Sequence, residues 1–180
     1  MLSHGLTTGA LFLLFGMLYD RRHTYELGNF RGIWKAAPLF GGLFVAATFA
    51  SIGLPGFSGF VGEFLSLLGA FLSSRWYAVA AATGVILAAV YLLWAVQRAF
   101  TGEPDDENRA TPDIGAREIV TVLPLLGLSL FLGFYPKPVL DRLQPSVQAL
   151  VQHVEQNSNY KTPPVPATGP VAAPAQGAGT

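Results

Sequence analysis

One carboxylate stands out because it lies in the most apolar part of the chain. Glu63 follows two glycines and a proline in the stretch GLPGFSGFVGEF, residues 53–64, and long apolar blocks flank that stretch. A charged group at the centre of a membrane helix costs about 2.5–3.5 kcal/mol on insertion scales, so such residues are retained where they have a task. The chemistry that this placement predicts is the uptake and release of a proton.

The composition is typical of a membrane protein. Hydrophobic residues make up 51% and charged residues 12% of the 180 residues, and the mean hydropathy is +0.43. A helical span needs ~20 mostly apolar residues, and blocks of that kind fill residues 2–134. The 11 basic and 11 acidic residues give no net charge, so nothing indicates a nucleic-acid partner. The absence of cysteine excludes disulfides, thiolate metal sites and cysteine-bound clusters.

These blocks predict an all-α fold, a polytopic membrane helix bundle of four membrane elements with one discontinuous (broken) helix. Residues 1–157 form the predicted membrane domain, and residues 158–180, rich in Pro, Ala, Gly and Thr, form a predicted disordered tail. The predicted elements are helices over 2–19, 38–52 plus 58–72, 76–100 and 119–134, and an amphipathic segment over 138–157. The first block lacks a basic start and a small-residue cleavage site, which favours a membrane helix over a secretory signal.

The second element is predicted to be broken because its length fits neither one span nor two. As one straight helix, residues 38–72 would measure about 52 Å, whereas two spans would need ~40 residues and a turn. Gly53, Pro55 and Gly56 lie at its centre. We therefore expect two half-helices joined by a non-helical stretch near the bilayer midplane, where protein or a water-filled cavity must satisfy the freed backbone groups. Such discontinuous helices are a transporter feature, and the alternative is a tight hairpin of two short spans.

The loop charges favour the broken crossing over the hairpin. With a single broken crossing, loops 20–35 and 101–118 share one face of the membrane, whereas the hairpin puts them on opposite faces. The shared face would carry Arg21, Arg22, Arg31, Lys35, Arg98, Arg109 and Arg117. The other face would carry Arg75, Lys137, Arg142 and Lys161. The positive-inside bias then predicts that the first face is cytoplasmic and both termini are non-cytoplasmic.

Two residues are predicted to relay protons. The positive end of the second half-helix favours the charged form of Glu63, while its apolar surroundings favour the neutral form, so a modest rearrangement could load or unload its proton. The alternative is a structural carboxylate paired with Lys or Arg, or a neutral acid bonded to a backbone carbonyl. His4 is the second candidate because imidazole titrates near neutral pH. The alternative for His4, which is three residues from Met1, is an ordinary histidine at the membrane surface. Hydroxyl groups that could extend such a relay belong to Thr48, Ser51, Ser58, Ser66, Thr83 and Tyr91.

Four separated motifs give the chain a family resemblance. They are MLSHGLTTGALFLLFGMLYDRRHT, PLFGGLFVAATFASIGLPGFSGFVGEFLSLLGAF, YLLWAVQRAFTG and LGFYPKPVLD, in this order. Together they resemble the C-terminal part of the antiporter-like subunit M of proton-pumping NADH:quinone oxidoreductase, respiratory complex I, the counterpart of mitochondrial chain 4. The resemblance covers residues 1 to about 155.

The resemblance implies roles for the residues singled out above. Full members have fourteen helices in two inverted five-helix repeats, each with a broken helix, and this chain resembles the last four helices. Glu63 matches the acidic residue of the second broken helix, and His4 matches a histidine that passes protons toward it. Gly53, Pro55 and Gly56 match the break. The family's lysines and other glutamate lie in helices that this chain lacks, and Met1 matches a position in mid-protein, so we expect neither pumping nor stable folding from this chain alone.

The resemblance also implies a function, with partners and cofactors. The expected function is that of a membrane-arm subunit fragment of a proton-translocating NADH:quinone oxidoreductase in the cell (inner) membrane. NADH, FMN, iron–sulfur clusters and quinone are expected in partner subunits, with no cofactor or metal in this chain. The expected partners are the other membrane subunits of complex I and the lipid bilayer. The alternatives are a subunit of a multi-subunit cation/proton antiporter or membrane hydrogenase, and a non-transporting anchor or assembly protein.

Overall fold

The fold is a bundle of helices, as the apolar blocks predict. The structure, a computed structural model, describes residues 1–159 and 161, and the described residues contain helices and no strands. The helices are α1 (Leu2–Arg22), α2 (Ile33–Ala36), α3 (Pro38–Ser51), α4 (Ser58–Ser73), α5 (Arg75–Phe100), α6 (Asp106–Arg109), α7 (Ala116–Phe134) and α8 (Lys137–Asn157). A short 3-10 turn, Leu27–Asn29, precedes α2. The all-α fold class is thereby confirmed for this part of the chain.

Three of these helices are long and apolar enough to cross a membrane. They are α1, α5 and α7, with 21, 26 and 19 residues. The predicted broken element consists of α3 and α4, two apolar helices of 14 and 16 residues, separated by the non-helical residues 52–57. Most of the tail predicted over 158–180 lies outside the described residues.

Several helices extend beyond their predicted bounds. The largest differences are at α1, predicted to end at residue 19, and α7, predicted to begin at residue 119. α1 continues through Arg21 and Arg22 because both side chains find partners across the bundle, in Glu118 and Glu107. α7 begins three residues earlier because Glu118 accepts a hydrogen bond from the backbone N–H of Gly115, which closes its first turn. At the other helix ends the difference is at most one residue.

The core lies between α1, α3 and α7. α1 contributes Ala10, Leu14 and Leu18 to it, and α3 contributes Phe40, Phe44 and Ala47. α7 adds Val122 and Leu126, and only the end of α5 reaches this core, through Ala99 and Phe100. α5 otherwise runs back along α4, to which it is joined at Ser74.

The polar loops meet at one end of the bundle. Arg21 donates a hydrogen bond to the carbonyl of Pro112, and the side chain of Asn108 donates one to the carbonyl of Asn29. The backbone N–H of Gly32 also bonds to the carbonyl of Thr101. Loops 20–35 and 101–118 therefore share one face, as a single broken crossing requires and the hairpin alternative does not allow. We refer to these two loops, with the side chains that join them, as the loop layer.

Candidate functional site

The helix break has a regular backbone structure. α3 ends in a Schellman motif, in which Gly53 takes a positive φ of 76° and the N–H of Leu54 bonds to the carbonyl of Phe49 at 3.0 Å. Gly56 takes a second positive φ of 105°, and the N–H of Phe57 bonds to the carbonyl of Leu54. The two glycines thus permit a turn that other residues adopt at a cost. Some of the backbone groups that lose their helical partners at the break therefore form hydrogen bonds within the break itself.

Gly53 also leaves space for the side chain that it faces. A Cβ atom built on Gly53 would collide with both carboxylate oxygens of Glu63. The Glu63 carboxylate therefore folds back from α4 and lies directly against the backbone of the break. Residues ten apart in sequence are brought together only because the chain reverses at residues 52–57. The structure thus joins two of the predicted site features, the acid and the break.

Two other helices pack against the break. Gly133 in α7 lies so close to the backbone of Gly56 that a Cβ atom on Gly133 would overlap the Gly56 carbonyl. Ser58, the first residue of α4, donates a hydrogen bond to Ser3 of α1 at 2.9 Å and shares one with Ser129 of α7 at 3.0 Å. The break is therefore held from both sides, by a backbone contact with α7 and by a chain of three hydroxyls.

A polar cavity contains both predicted relay residues. It has a volume of about 360 Å³ and is lined by Ser3, His4, Ser51, Glu63 and Ser66, among others. Ser51 Oγ is buried without a hydrogen-bond partner among the described residues. Water in a cavity of this size and polarity would have several hydrogen-bonding groups available to it. Glu63 and His4 therefore line one cavity beside the break that is large enough to hold water.

Within the described part of the chain, Glu63 takes no part in any of the four ion pairs. The structural alternative of a carboxylate paired with Lys or Arg is thus not observed there. His4 is exposed, and its Nδ1 lies 3.2 Å from the hydroxyl of Thr8. No hydrogen bond in this part of the chain joins His4 directly to Glu63, so a proton moving between them needs a bridging group.

The other hydroxyl candidates differ in their bonding. Thr48 and Thr83 each donate to a carbonyl of their own helix, at Phe44 and Ala80. Ser51, Ser58 and Ser66 lie at the break or line the cavity. Tyr91 is exposed on α5.

Sequence reasoning missed Ser3 and Ser129. Ser129 is fully buried in α7, and a lone serine in an apolar helix was the available signal. Ser3 precedes His4 by one residue and points to the same cavity. Their partner in both cases is Ser58, which the sequence did single out.

The loop layer contrasts with the cavity because it contains ion pairs. Arg21 binds both carboxylate oxygens of Glu118, at 2.8 and 2.6 Å. Lys35 pairs with Glu103, and this hydrogen bond lowers the pKa of the Glu103 carboxyl. These paired cations therefore anchor loops rather than reach the candidate site.

Asp113 caps α3 from a distant part of the chain. Its carboxylate accepts hydrogen bonds from the backbone N–H groups of Leu39 and Phe40, at 3.0 and 2.9 Å. Burial acts to raise the pKa of Asp113, but these bonds, a third from Ile114 and the charge of Arg21 together hold it below its ordinary value. A carboxylate at a helix N-terminus is stabilised by the unpaired N–H groups there. Loop 101–118 thereby fixes the start of α3.

The described residues contain no cluster of three or more His, Asp or Glu side chains that could hold a metal ion. That this chain binds no metal or cofactor stays a prediction.

Comparison with known proteins identifies the family of this chain. Residues 1–89 match the family described as NADH:quinone oxidoreductase/Mrp antiporter, TM. NADH-quinone oxidoreductase subunit M of Rhodobacter capsulatus is 47% identical over 154 residues, which cover 85% of this chain and 30% of that protein. The chain belongs to this family. The subunit M family resemblance predicted from the four motifs is thus confirmed, and the family and the apolar helices together indicate a multi-pass membrane protein.

Other relatives of this family are similar over the same part of the chain. NADH-quinone oxidoreductase subunit M of Mycobacterium tuberculosis is 42% identical over 172 residues, covering 94% of this chain and 31% of that protein. NADH-ubiquinone oxidoreductase chain 4 of Arabidopsis thaliana is 43% identical over 155 residues, covering 85% and 31%. The chain spans about 30% of the length of these curated relatives.

Proposed function

We propose that the chain is part of subunit M of a proton-translocating NADH:quinone oxidoreductase and carries one end of a proton half-channel. The observation that carries this proposal is the position of Glu63. Its carboxylate lies on the backbone of the helix break, has no ion-pair partner among the described residues, and lines a polar cavity with His4. Intramembrane ionisable groups in such settings mark proton and ion pathways.

The depth of the break supports this role. α3 has 14 residues, so the break lies about 21 Å of helix away from the loop layer. α5 runs back from the end of α4 to the loop layer and has 26 residues, or about 39 Å of helix. A hydrocarbon core of ~30 Å centred on α5 would therefore enclose the break. Measured from the loop layer, the break would lie slightly past the middle of that core.

Proton transfer in this proposal needs only groups that the cavity brings together. A protonated His4 imidazole gives its proton to a water in the cavity, and the water passes a proton to the Glu63 carboxylate. Glu63 releases it when the cavity rearranges and the charged form becomes favoured by the N-terminal end of α4. The hydroxyls of Ser3, Ser51 and Ser66 line this path and can hold the water in place.

The sidedness of the chain is part of the proposal. The seven cationic residues of the loop layer and the end of α5 face the cytoplasm by the positive-inside bias, which puts both termini on the non-cytoplasmic side. The contacts between loops 20–35 and 101–118 support a common side for these charges.

The names of the relatives support a proposal for the partners and cofactors of this chain. The curated relatives are named as subunits of NADH-quinone or NADH-ubiquinone oxidoreductase. We propose that other membrane subunits of such a complex complete the half-channel. NADH, FMN, iron–sulfur clusters and quinone would then be bound by partner subunits, and this chain would hold none of them.

A second candidate function is a subunit of a multi-subunit cation/proton antiporter, because the family description also names Mrp antiporters. The names of the similar relatives favour the oxidoreductase. Sodium dependence separates the two, since an antiporter moves a cation against protons without consuming NADH. A non-transporting anchor would leave the polar cavity and the unpaired carboxylate without a use.

The test is Glu63→Gln in the assembled complex. This change keeps the size of the side chain but removes its titratable proton, so the rate of proton pumping should fall by about a hundredfold or more, the typical contribution of a positioned proton-transfer group. Pumping is measured in proteoliposomes by quenching of a pH-sensitive dye, beside the rate of NADH oxidation. Glu26→Gln, an exposed loop carboxylate, is the matched control and should pump normally. Pumping at the unmodified ratio by Glu63→Gln would exclude Glu63 from the pathway.

A further inference from the structure

An apolar groove opens between α1, α3 and α5 near the loop layer. It has a volume of about 150 Å³, and its walls include Phe15, Leu18, Phe44, Leu92, Val96 and Phe100. Phe15 meets Phe44 edge-on at 5.0 Å between ring centroids, and Phe44 packs on Phe100 at 4.7 Å. A space of this size is smaller than a site for a drug-sized molecule and suits part of a flexible chain. We call it the aromatic groove.

A polar cavity adjoins the aromatic groove on the side of the loop layer. It has a volume of about 400 Å³ and is lined by Phe30, Arg31, Trp94, Gln97, Arg98 and Thr101, among others. Phe30 also lines the aromatic groove, so the two spaces share a wall. We call this second space the arginine cavity.

The two arginines of this cavity are available for an anion. Three cations of the loop layer, Arg21, Arg22 and Lys35, have a carboxylate partner. Arg31 and Arg98 take part in none of the four ion pairs of the described residues, and no acidic side chain of that part of the chain lines the cavity.

Each guanidinium is nevertheless held in position. That of Arg98 lies 5.4 Å from the ring centroid of Trp94, in cation–π geometry. Arg31 lies across Gly102, where a Cβ atom would be 3.0 Å from its Nε. Gly102 has a positive φ of 96°. A glycine there keeps the space that Arg31 occupies.

We propose that the arginine cavity and the aromatic groove together bind one anionic phospholipid. The phosphate and headgroup would lie between Arg31 and Arg98, and one acyl chain would enter the groove between Phe15 and Val96. The guanidinium groups provide charge and paired N–H donors for the phosphate oxygens. Phe15, Phe44 and Val96 provide the apolar surface for the chain.

The position of the two spaces along α5 favours a lipid over a soluble anion. Leu92 and Val96 in the groove lie in the apolar part of α5, and Arg98 lies in its last turn. Trp94, between them, is half exposed, and tryptophan is enriched at the level of lipid headgroups. An amphiphile with an anionic head and an apolar chain matches this order, and basic pockets between membrane helices bind such lipids.

The experiment uses the chain within its own assembly, purified and reconstituted in nanodiscs of phosphatidylcholine. A small fraction of phosphatidylglycerol with a photoreactive acyl chain is the probe, and the labelled residues are mapped by mass spectrometry. We expect labelling at the aromatic groove, at Phe15, Leu92 or Val96. A probe with a phosphatidylcholine headgroup should label these residues at least fivefold less.

Variants separate the roles of head and chain. Replacing one arginine, in Arg31→Gln or Arg98→Gln, should lower the yield about fivefold, and replacing both about thirtyfold, if each contributes as a cation near a lipid surface does. Ala95→Phe narrows the groove, which Ala95 lines, and should lower labelling with both arginines intact. Arg75→Gln is the matched control. Arg75 starts the same helix, and its guanidinium also lies over a ring, 5.8 Å from that of Phe71.

Several outcomes would overturn the proposal. They are equal labelling by the two probes, unchanged labelling in the double variant, and crosslinks from the groove to another protein. Loss of labelling on adding excess inorganic phosphate would show a free-anion site and would also overturn it. Because Glu63→Gln should leave labelling unchanged, failure of the lipid site and failure of the proton pathway are distinguishable.

Discussion

The loop layer and the helix break lie at opposite ends of α3 and are stabilised in different ways. In the loop layer, Arg21 makes five hydrogen bonds, two to Glu118 and three to carbonyl groups. At the break, the polar contacts are a chain of serine hydroxyls, and the acid that lies there has no ionic partner among the described residues. One end is fixed by charge pairs, and the other by close backbone packing around an unpaired acid.

This difference shows which helices are positioned by contacts within the chain and which depend on their surroundings. α4 buries only Ser58, and α5 buries only Ala99 and Phe100, both next to the loop layer. The apolar faces of these helices beyond the break must be covered by lipid or by other protein. The loop layer can therefore position α1, α3 and α7, whereas the environment of Glu63 is set partly from outside.

The largest expected effect comes from removing the central charge of the loop layer. Arg21→Gln leaves the Glu118 carboxylate, whose side chain is only 28% exposed, without its cation, and should cost about 3 kcal/mol. The midpoint of thermal unfolding of the assembled protein in nanodiscs measures this. Arg117→Gln, an exposed neighbour on α7, should change stability by no more than about 0.5 kcal/mol. Equal effects of the two changes would mean that the loop layer is not fixed by this pair.

The second prediction tests the packing at the break. Gly133→Ala puts a methyl group into the Gly56 carbonyl, so α7 must move away, at a cost of about 2 kcal/mol. Gly127→Ala on the same helix meets nothing within 4 Å and should be neutral or slightly stabilising. The same thermal measurement applies to both. If both variants are equally stable, α7 does not contact the break.

The third prediction separates stability from function at the break. Gly53→Ala imposes a positive φ on alanine, at about 1–2 kcal/mol, and also displaces the Glu63 carboxylate, which is the end of a flexible side chain. We expect a moderate loss of thermal stability but a large loss of proton pumping at an unchanged rate of complex assembly. Gly69→Ala in α4, where a Cβ meets nothing within 4 Å, should change neither. Normal pumping by Gly53→Ala would show that contact with the break does not position the acid.

The smallest effect is expected at Asp113. Asp113→Asn retains one acceptor for the two N–H groups of Leu39 and Phe40 and should cost about 1 kcal/mol at neutral pH. Because the pKa of Asp113 is lowered in the folded chain, its stabilisation is present above the unfolded value of about 3.9 and is lost as the pH falls through the folded value. The two proteins should thus converge in stability below about pH 4. Asp106→Asn, an exposed carboxylate at the start of α6, is the control and should change stability at neutral pH by no more than about 0.5 kcal/mol.

Much of the fold was predictable because apolar blocks of fixed length are a strong signal for membrane helices. The break was predictable too, since Gly53, Pro55 and Gly56 disfavour a helix inside a block too long for one span. Both predicted relay residues line one cavity. These features depend on residues that are near one another in sequence, or on lengths that the bilayer sets.

The rest depends on contacts between distant residues, which no local pattern reveals. Asp113 caps a helix that begins 75 residues before it, and Ser129 meets Ser58 across 71 residues of sequence. The loop acids Asp105, Asp106 and Glu107 are exposed, as their composition suggests, yet Glu107 pairs with Arg22 and lengthens α1. A serine or an aspartate in a loop gives no sign of its partner until the helices are placed.

The contact between Gly133 and Gly56 has a mechanical consequence. No side chain separates the two backbones, so there is nothing compressible between the last turn of α7 and the loop on which the acid rests. Tyr135 and Pro136 alone connect that turn to α8. A tilt of α8 would therefore move the last turn of α7 against the break. A displacement of a fraction of an ångström would already be transmitted.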